Sequence, residues 1–237
     1  VSAGALQISS SGKTGTGDVT VQSGGSLLGT GTVQGSNFTA ASGSTLYAGD
    51  STATSTYGTL NFTPVTGGGT VSQQGTIVLG IGTANNAGSI DSTFGGNYLT
   101  YVQGYSTGLG SGTHDLLSYN TAGDSNAYTL NFLNNSGVLQ VVAGAGFNNA
   151  VLGQVFNIVD WTGIDNGNTP TFGNVGTNYR TGGTGGGILD LPTLSAGLVW
   201  DVSQFTTSGI IVIVPEPARA VLLLLGAAGL LMRRRRR

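Results

Sequence analysis

Apolar positions along this chain come in short runs rather than in helical periods. Val19-Thr20-Val21, Thr76-Ile77-Val78-Leu79, Thr129-Leu130-Asn131-Phe132 and Ile210-Ile211-Val212-Ile213-Val214 are β-branched or aromatic stretches set among Gly, Asn and Ser. Such runs predict strands separated by turns. A phrase repeats around them: Ser2-Ala3-Gly4-Ala5-Leu6, Ser23-Gly24-Gly25-Ser26-Leu27 and Ser42-Gly43-Ser44-Thr45-Leu46 start 21 and then 19 residues apart. Val19-Thr20-Val21 precedes the second copy, and Phe38-Thr39-Ala40 the third. A period of about 20 residues is one coil of a β-solenoid, whose apolar inward row is buried by stacking on the next coil. Small residues suit the corners between strands. The expected fold is all-β, a body wound as a right-handed parallel β-helix, with a β-sandwich as the alternative. Past residue 50 the register loosens, although Thr-Leu-Asn-Phe recurs at 59–62 and 129–132. The reading divides the chain into a solenoid repeat region (1–145), a β region that closes it (146–214) and a tail (215–237).

Composition narrows the function. The chain has 43 Gly, and charged residues make up 8% of it, against a usual share of about 25%. Disorder is the rival reading, but 38% of residues are hydrophobic and the net charge is −2. With the apolar runs arranged in punctuated strands, the body belongs with ordered chains. Through residue 214, Lys13 and Arg180 face nine aspartates; beyond it, Glu216 faces Arg219 and five terminal arginines. The body therefore has no cationic surface for phosphates, which excludes a nucleic-acid partner. There are no cysteines, hence no disulfide framework, thiolate zinc site or cysteine nucleophile. One Lys, one Glu and one His leave few acids, bases or ligands. A non-catalytic protein without cofactor or metal is expected.

Individual motifs agree with that expectation. Gly12-Lys13-Thr14 has Gln7 where a phosphate loop needs its first glycine, so it reads as a turn. Gly183-Thr184-Gly185 has Ile188 where a dinucleotide fingerprint needs its third glycine. Gly104-Tyr105-Ser106-Thr107-Gly108 matches a nucleophile elbow, but its base would be His114, with no acid between them. His114-Asp115 reads instead as a surface turn pair. A polysaccharide-degrading β-helix needs two opposed carboxyl groups, for which Asp160 with Asp165 or Asp190 with Asp201 are the candidates. Asp165-Asn166-Gly167-Asn168 lacks the further acidic ligands of a Ca²⁺ loop. Tyr98, Tyr101 and Tyr105 could stack on sugar rings, whereas Trp161 and Trp200 sit among core-like residues.

The C-terminus carries the most information. Pro215-Glu216-Pro217 leads to thirteen uncharged residues from Ala220 to Met232, then Arg233, Arg234, Arg235, Arg236 and Arg237. As a helix the segment would span about 20 Å, short of the hydrocarbon core of about 30 Å. Arg219 and Arg233 can snorkel at its two ends, and bilayers thin around short segments at modest cost. A block of arginines favours the cytoplasmic side and leaves the acidic body outside. The sequence opens without a cationic segment and apolar stretch, and the first phrase has only Val1 before it. The chain is expected to be part of a longer exported precursor.

This order of motif, short apolar segment and arginine cluster resembles the PEP-CTERM sorting signal of Gram-negative-type bacteria. The resemblance implies recognition by an exosortase, a membrane-embedded cysteine transpeptidase-like enzyme that cleaves near the motif. It further implies transient anchoring in the inner membrane, then a place at the cell surface or outside the cell, with exopolysaccharide as a partner. The body's Ser-x-Gly-x-Leu phrases and Gly29-Thr30-Gly31-Thr32-Val33 resemble autotransporter-associated β-strand repeats. Gly112 to Ser118, Gly153 to Trp161 and Leu191 to Asp201 are similar to the connecting, late-strand and closing segments of such proteins.

Overall fold

The computed structural model describes residues 1–49, 56–63, 69–83, 113–120, 128–133, 137–149, 151–163, 171–172, 179–181 and 188–216. The chain winds in coils that each lay one strand on three parallel faces. The first face stacks β1 (Gly4–Ile8), β3 (Gly25–Gly29), β6 (Thr45–Ala48), β9 (Thr76–Ile81), β12 (Val138–Ala143), β17 (Leu189–Leu191) and β16 (Arg180–Thr181), in that order. The second stacks β4 (Thr32–Val33), β7 (Thr59–Phe62), β10 (Leu116–Asn120) and β14 (Val159–Gly163). The third stacks β2 (Val19–Val21), β5 (Asn37–Ala40), β8 (Gly69–Gln73), β11 (Tyr128–Phe132) and β15 (Thr171–Phe172). Every strand-to-strand pairing on these faces is parallel, with isolated antiparallel bridges at Gly29–Gly49 and Ile81–His114. The body is thus an all-β parallel solenoid with almost no helix, and the β-sandwich alternative falls.

The repeated phrase is the reason for the register. Its leucines align across the first face as Leu6, Leu27 and Leu46, and the row continues through Ile77, Leu139 and Leu189. From Leu27 onward each of these side chains is at most 1% exposed, whereas Leu6, with no coil stacked on its outer side, is 40% exposed. Alternation then directs Leu28, Tyr47 and Val78 to the outside of the same strands. Corner chemistry repeats too. Asn37 Nδ2 donates to Asp18 Oδ1 (2.9 Å), and Asn37 Oδ1 accepts from the Thr70 amide (3.1 Å), so three coils are tied at one corner.

Down the centre runs a series of rings. Phe38 meets Phe62 edge-on at 5.1 Å, Phe62 stacks on Tyr119 at 5.0 Å, Tyr119 meets Phe132 at 6.3 Å and Phe132 meets Phe205 at 6.2 Å. Edge and offset contacts suit the ring quadrupoles and add to the area these residues bury. Tyr119 donates its hydroxyl proton to Gln73 Oε1 (2.8 Å) inside this core, and both residues are buried. Thr-Leu-Asn-Phe occupies β7 on the second face and β11 on the third, so its recurrence marks a strand type, not one place in the coil.

After residue 145 the chain both extends the parallel faces and builds the closure. β13 (Val155–Asn157), β19 (Ile210–Pro215) and β18 (Leu198–Asp201) form an antiparallel sheet with β19 in the middle. A one-turn helix, α1 (Phe205–Ser208), precedes β19 and buries Phe205 at the end of the ring series. Among the described residues no helix is long and apolar enough to cross a membrane. Pro217, the segment from Ala220 to Met232 and Arg233 to Arg237 lie outside the described residues.

The row makes a paired prediction. Leu46→Ala leaves a cavity between two coils and should cost about 2–5 kcal/mol. Leu6→Ala, in the same row but 40% exposed, should cost under about 1 kcal/mol. Urea denaturation of the two variants measures both, and equal losses would contradict the stacking.

Candidate functional site

The antiparallel sheet positions Pro215 and Glu216. Asp201 Oδ1 accepts the Ser203 amide proton (2.8 Å), which turns the chain out of β18. α1 ends on Gly209, whose φ of +69° is left-handed and whose amide donates to the Phe205 carbonyl. A Cβ at Gly209 would collide with the Val159 carbonyl oxygen, so the cap sits directly against β14. The Gly209 carbonyl in turn accepts the Ile158 and Val159 amides at 3.1 and 3.3 Å. β19 then runs back with Ile210 to Ile213 buried. Pro215 is its last, exposed residue, opposite Leu198, and needs no donor there. The Glu216 amide donates to the Gly197 carbonyl (2.9 Å) and so extends the sheet by one bond. Pro215 and Glu216 therefore belong to the folded antiparallel sheet, with no spacer between them and the body.

Aromatic residues hold this end together. Trp200 is 3% exposed, stacks on Phe147 (6.2 Å, 11°) and packs against Phe156 (6.0 Å). Its indole N–H donates to the Pro192 carbonyl (2.8 Å) and its amide donates to the Tyr179 hydroxyl oxygen (2.9 Å). Burial and the nearby Asp201 charge raise the Tyr179 pKa above its ordinary value of 10.0, against the lowering effect of that amide bond. Trp200 is thus a core residue of the closure. The Trp161 side chain and Tyr98, Tyr101 and Tyr105 lie outside the described residues.

His114-Asp115 is not a surface turn. Asp115 is 0% exposed, and its carboxylate joins two coils: Oδ1 accepts the Gly58 amide (2.9 Å) and Oδ2 the Gly80 amide (2.7 Å). Its own amide donates to the Gly80 carbonyl (2.8 Å). Gly49, at φ +96°, completes the nest, since a Cβ there would stand 2.7 Å from Asp115 Oδ1. Backbone donors aimed at a buried carboxylate offset its desolvation. Burial, with the Asp115 charge adding to it, raises the pKa of Tyr57 above 10.0. The Tyr57 hydroxyl donates to the Ala145 carbonyl (3.1 Å). His114 bridges Ile81 and sets Nδ1 3.0 Å from the Asp115 carbonyl. Burial lowers its pKa below the ordinary 6.5, and that hydrogen bond opposes part of the shift. The available signal for Asp115 was its place directly before the strand Leu116-Leu117-Ser118-Tyr119, which a solvated turn would not require.

The candidate catalytic and ligating residues lie partly outside the described residues. Ser106, Asp165 and the glycine pattern at 183–185 lie outside the described residues. Asp160 is on β14, Asp190 on β17 and Asp201 on β18. Gly12 closes a turn onto the Ser9 carbonyl (2.7 Å), and Lys13 bridges Thr32 as the first coil's contribution to the second face. Among the described residues no group of three or more His, Cys, Asp or Glu side chains is placed to hold a metal ion.

Comparison with known proteins gives no match: no family model, no curated protein and no solved structure aligns with the chain.

Two predictions follow the Asp115 nest. Asp115→Ala strands the buried Gly80 amide and the half-buried Gly58 amide, a buried one costing about 1–3 kcal/mol, and should lower unfolding free energy by about 2 kcal/mol in urea titrations. His114 has a folded pKa below 6.5, so below that pH the unfolded chain takes up a proton that the folded chain declines. Stability should therefore be full above about pH 6.5 and fall as pH drops toward the folded pKa. The chain has one histidine, and His114→Gln should flatten the step between pH 7 and pH 5.5.

Proposed function

We propose that the chain is a non-catalytic, exported β-solenoid of the bacterial surface or extracellular matrix, delivered through its C-terminal signal. The winding is right-handed, as twisted parallel strands joined by crossovers favour. In this reading Pro215, Glu216 and Pro217 are the motif taken by an exosortase-type enzyme in the inner membrane. The segment from Ala220 to Met232 crosses or dips into the bilayer as a short helix, and Arg233 to Arg237 hold its end on the cytoplasmic side. The mature body meets exopolysaccharide at the cell surface or outside it.

The observation that carries this reading is the order of the tail in the sequence: motif, thirteen uncharged residues, five arginines. The structure adds a compatible geometry, since β19 delivers Pro215 and Glu216 at the solenoid's closed end. The body presents stacked strands and two cations against nine aspartates through residue 214, a surface suited to extended contacts.

Two tail variants separate anchoring from recognition. Replacing Arg233 to Arg237 by Ser removes the orientation signal and should alter membrane retention or topology. Glu216→Ala keeps the anchors and should accumulate a membrane-held, uncleaved precursor. Fractionation with intact-mass analysis, in a host carrying the sorting enzyme, measures both. Processing of both variants like the parent would make the tail a passive anchor.

A further inference from the structure

β1 is the outermost strand of the first face, and no strand among the described residues pairs with its outer edge. Gly4, Ala5, Leu6 and Gln7 on it are exposed, Leu6 to 40%. The ladder to β3 decides which backbone groups that edge leaves open. Ile8 lies opposite Gly29, and its carbonyl accepts the Thr30 amide (3.0 Å). In a parallel ladder alternate residues of a strand bond the same neighbour, and those between them face the other way. Gly4, Leu6 and Ile8 therefore turn their amides and carbonyls to β3, while Ala5 and Gln7 turn theirs outward. Each of these two offers a donor and an acceptor on an exposed edge, which is a template for a further strand.

We propose that this edge is a self-association surface, on which β1 of one copy pairs antiparallel with β1 of a second copy about a two-fold axis at Leu6. The phase of the ladder selects the occupant. With the axis at Leu6, Ala5 lies opposite the partner's Gln7 and Gln7 opposite the partner's Ala5. Each pair exchanges both of its N–H···O bonds, so every outward group of Ala5 and Gln7 is satisfied by the same surface on the other copy. Leu6 then meets the partner's Leu6 in the closer, non-hydrogen-bonded pair, with Cα atoms about 4.5 Å apart. Leu6 ends the inward row of its own solenoid, so the contact joins two apolar rows and covers a side chain that no coil covers. Charge permits the contact. Exposed Lys13 and Asp18 both line the cavity of about 460 Å³ beside β1. One charge of each sign on a surface that meets itself brings no like-charge excess together. The body as a whole holds two cations against nine aspartates through residue 214, and pairing through this strand edge keeps the rest of that acidic surface out of the contact. The inference is independent of the sorting and surface-protein reading.

Sedimentation equilibrium of the full chain in mild detergent tests it, with cross-linking to report the register. A dimer is expected at about 100 μM, well above a Kd of about 10 μM. Gln7→Pro should return it to monomer, because proline removes an outward amide and leaves the bonds to β3 in place. Leu6→Lys should do the same by setting two ammonium groups opposite each other across the axis. The chain has no cysteine, so single thiols read the register under copper-phenanthroline oxidation. Leu6→Cys places the two Cα atoms about 4.5 Å apart, within disulfide reach, whereas Gln7→Cys places them about 8 Å apart, beyond it. Leu6→Cys should therefore cross-link at least about tenfold faster than Gln7→Cys. Both positions are exposed, so neither thiol disturbs the core. A parent chain that stays monomeric at that concentration, a dimer that survives either Gln7→Pro or Leu6→Lys, or equal cross-linking of the two thiol variants would overturn the proposal. Tail processing plays no part in the assay, so a failed sorting signal and a failed self-association give different results.

Discussion

The structure depends on each coil burying its inward row against the next. One coil of about 20 residues cannot enclose a core, and its strands cannot satisfy their own backbone groups. Both needs are met by the same parallel register, in which Leu27, Leu46, Ile77, Leu139 and Leu189 lie over one another. A slip by one residue would turn the leucines outward and bring Leu28, Tyr47 and Val78 inward. The corner bonds of Asp18 and Asn37, and the Asp115 carboxylate across Gly58 and Gly80, act against such a slip.

The early coils were legible because their phrases are nearly of equal length. Leu6, Leu27 and Leu46 are 21 and 19 residues apart, and all three take the same place on one face. The later partners, Ile77, Leu139 and Leu189, are separated by 31, 62 and 50 residues counted from Leu46 onward. These longer spacings leave the register of the aligned positions intact but erase the period. Thr-Leu-Asn-Phe recurs on two different faces because an inward-alternating strand of this body accepts it on either. Asp115 escaped because the amides of Gly58 and Gly80 that hold its carboxylate belong to the backbone, which no residue letter marks as a donor to it. Trp200 was read as core, and its burial against Phe147 and Phe156 agrees.

Closing a parallel solenoid requires a change of direction, and the chain makes it with antiparallel pairing. β19, the middle strand between β13 and β18, is apolar and buried throughout Ile210 to Ile213. A continuous apolar run is the pattern of a strand buried on both faces, in contrast to the alternation of β5 or β7.

The Glu216–Gly197 bond has a mechanical consequence. Any load applied through the residues beyond Glu216 enters the body at β19, which lies between two antiparallel neighbours. Pulled along its own axis, β19 strains the bonds to β18 and β13 together in shear, because those bonds run across the strand. Pulled sideways, it peels from Gly197 inward, one bond at a time. The same sheet is therefore a firm attachment in one direction and a zipper in the other, and the direction of the load decides which of the two it meets.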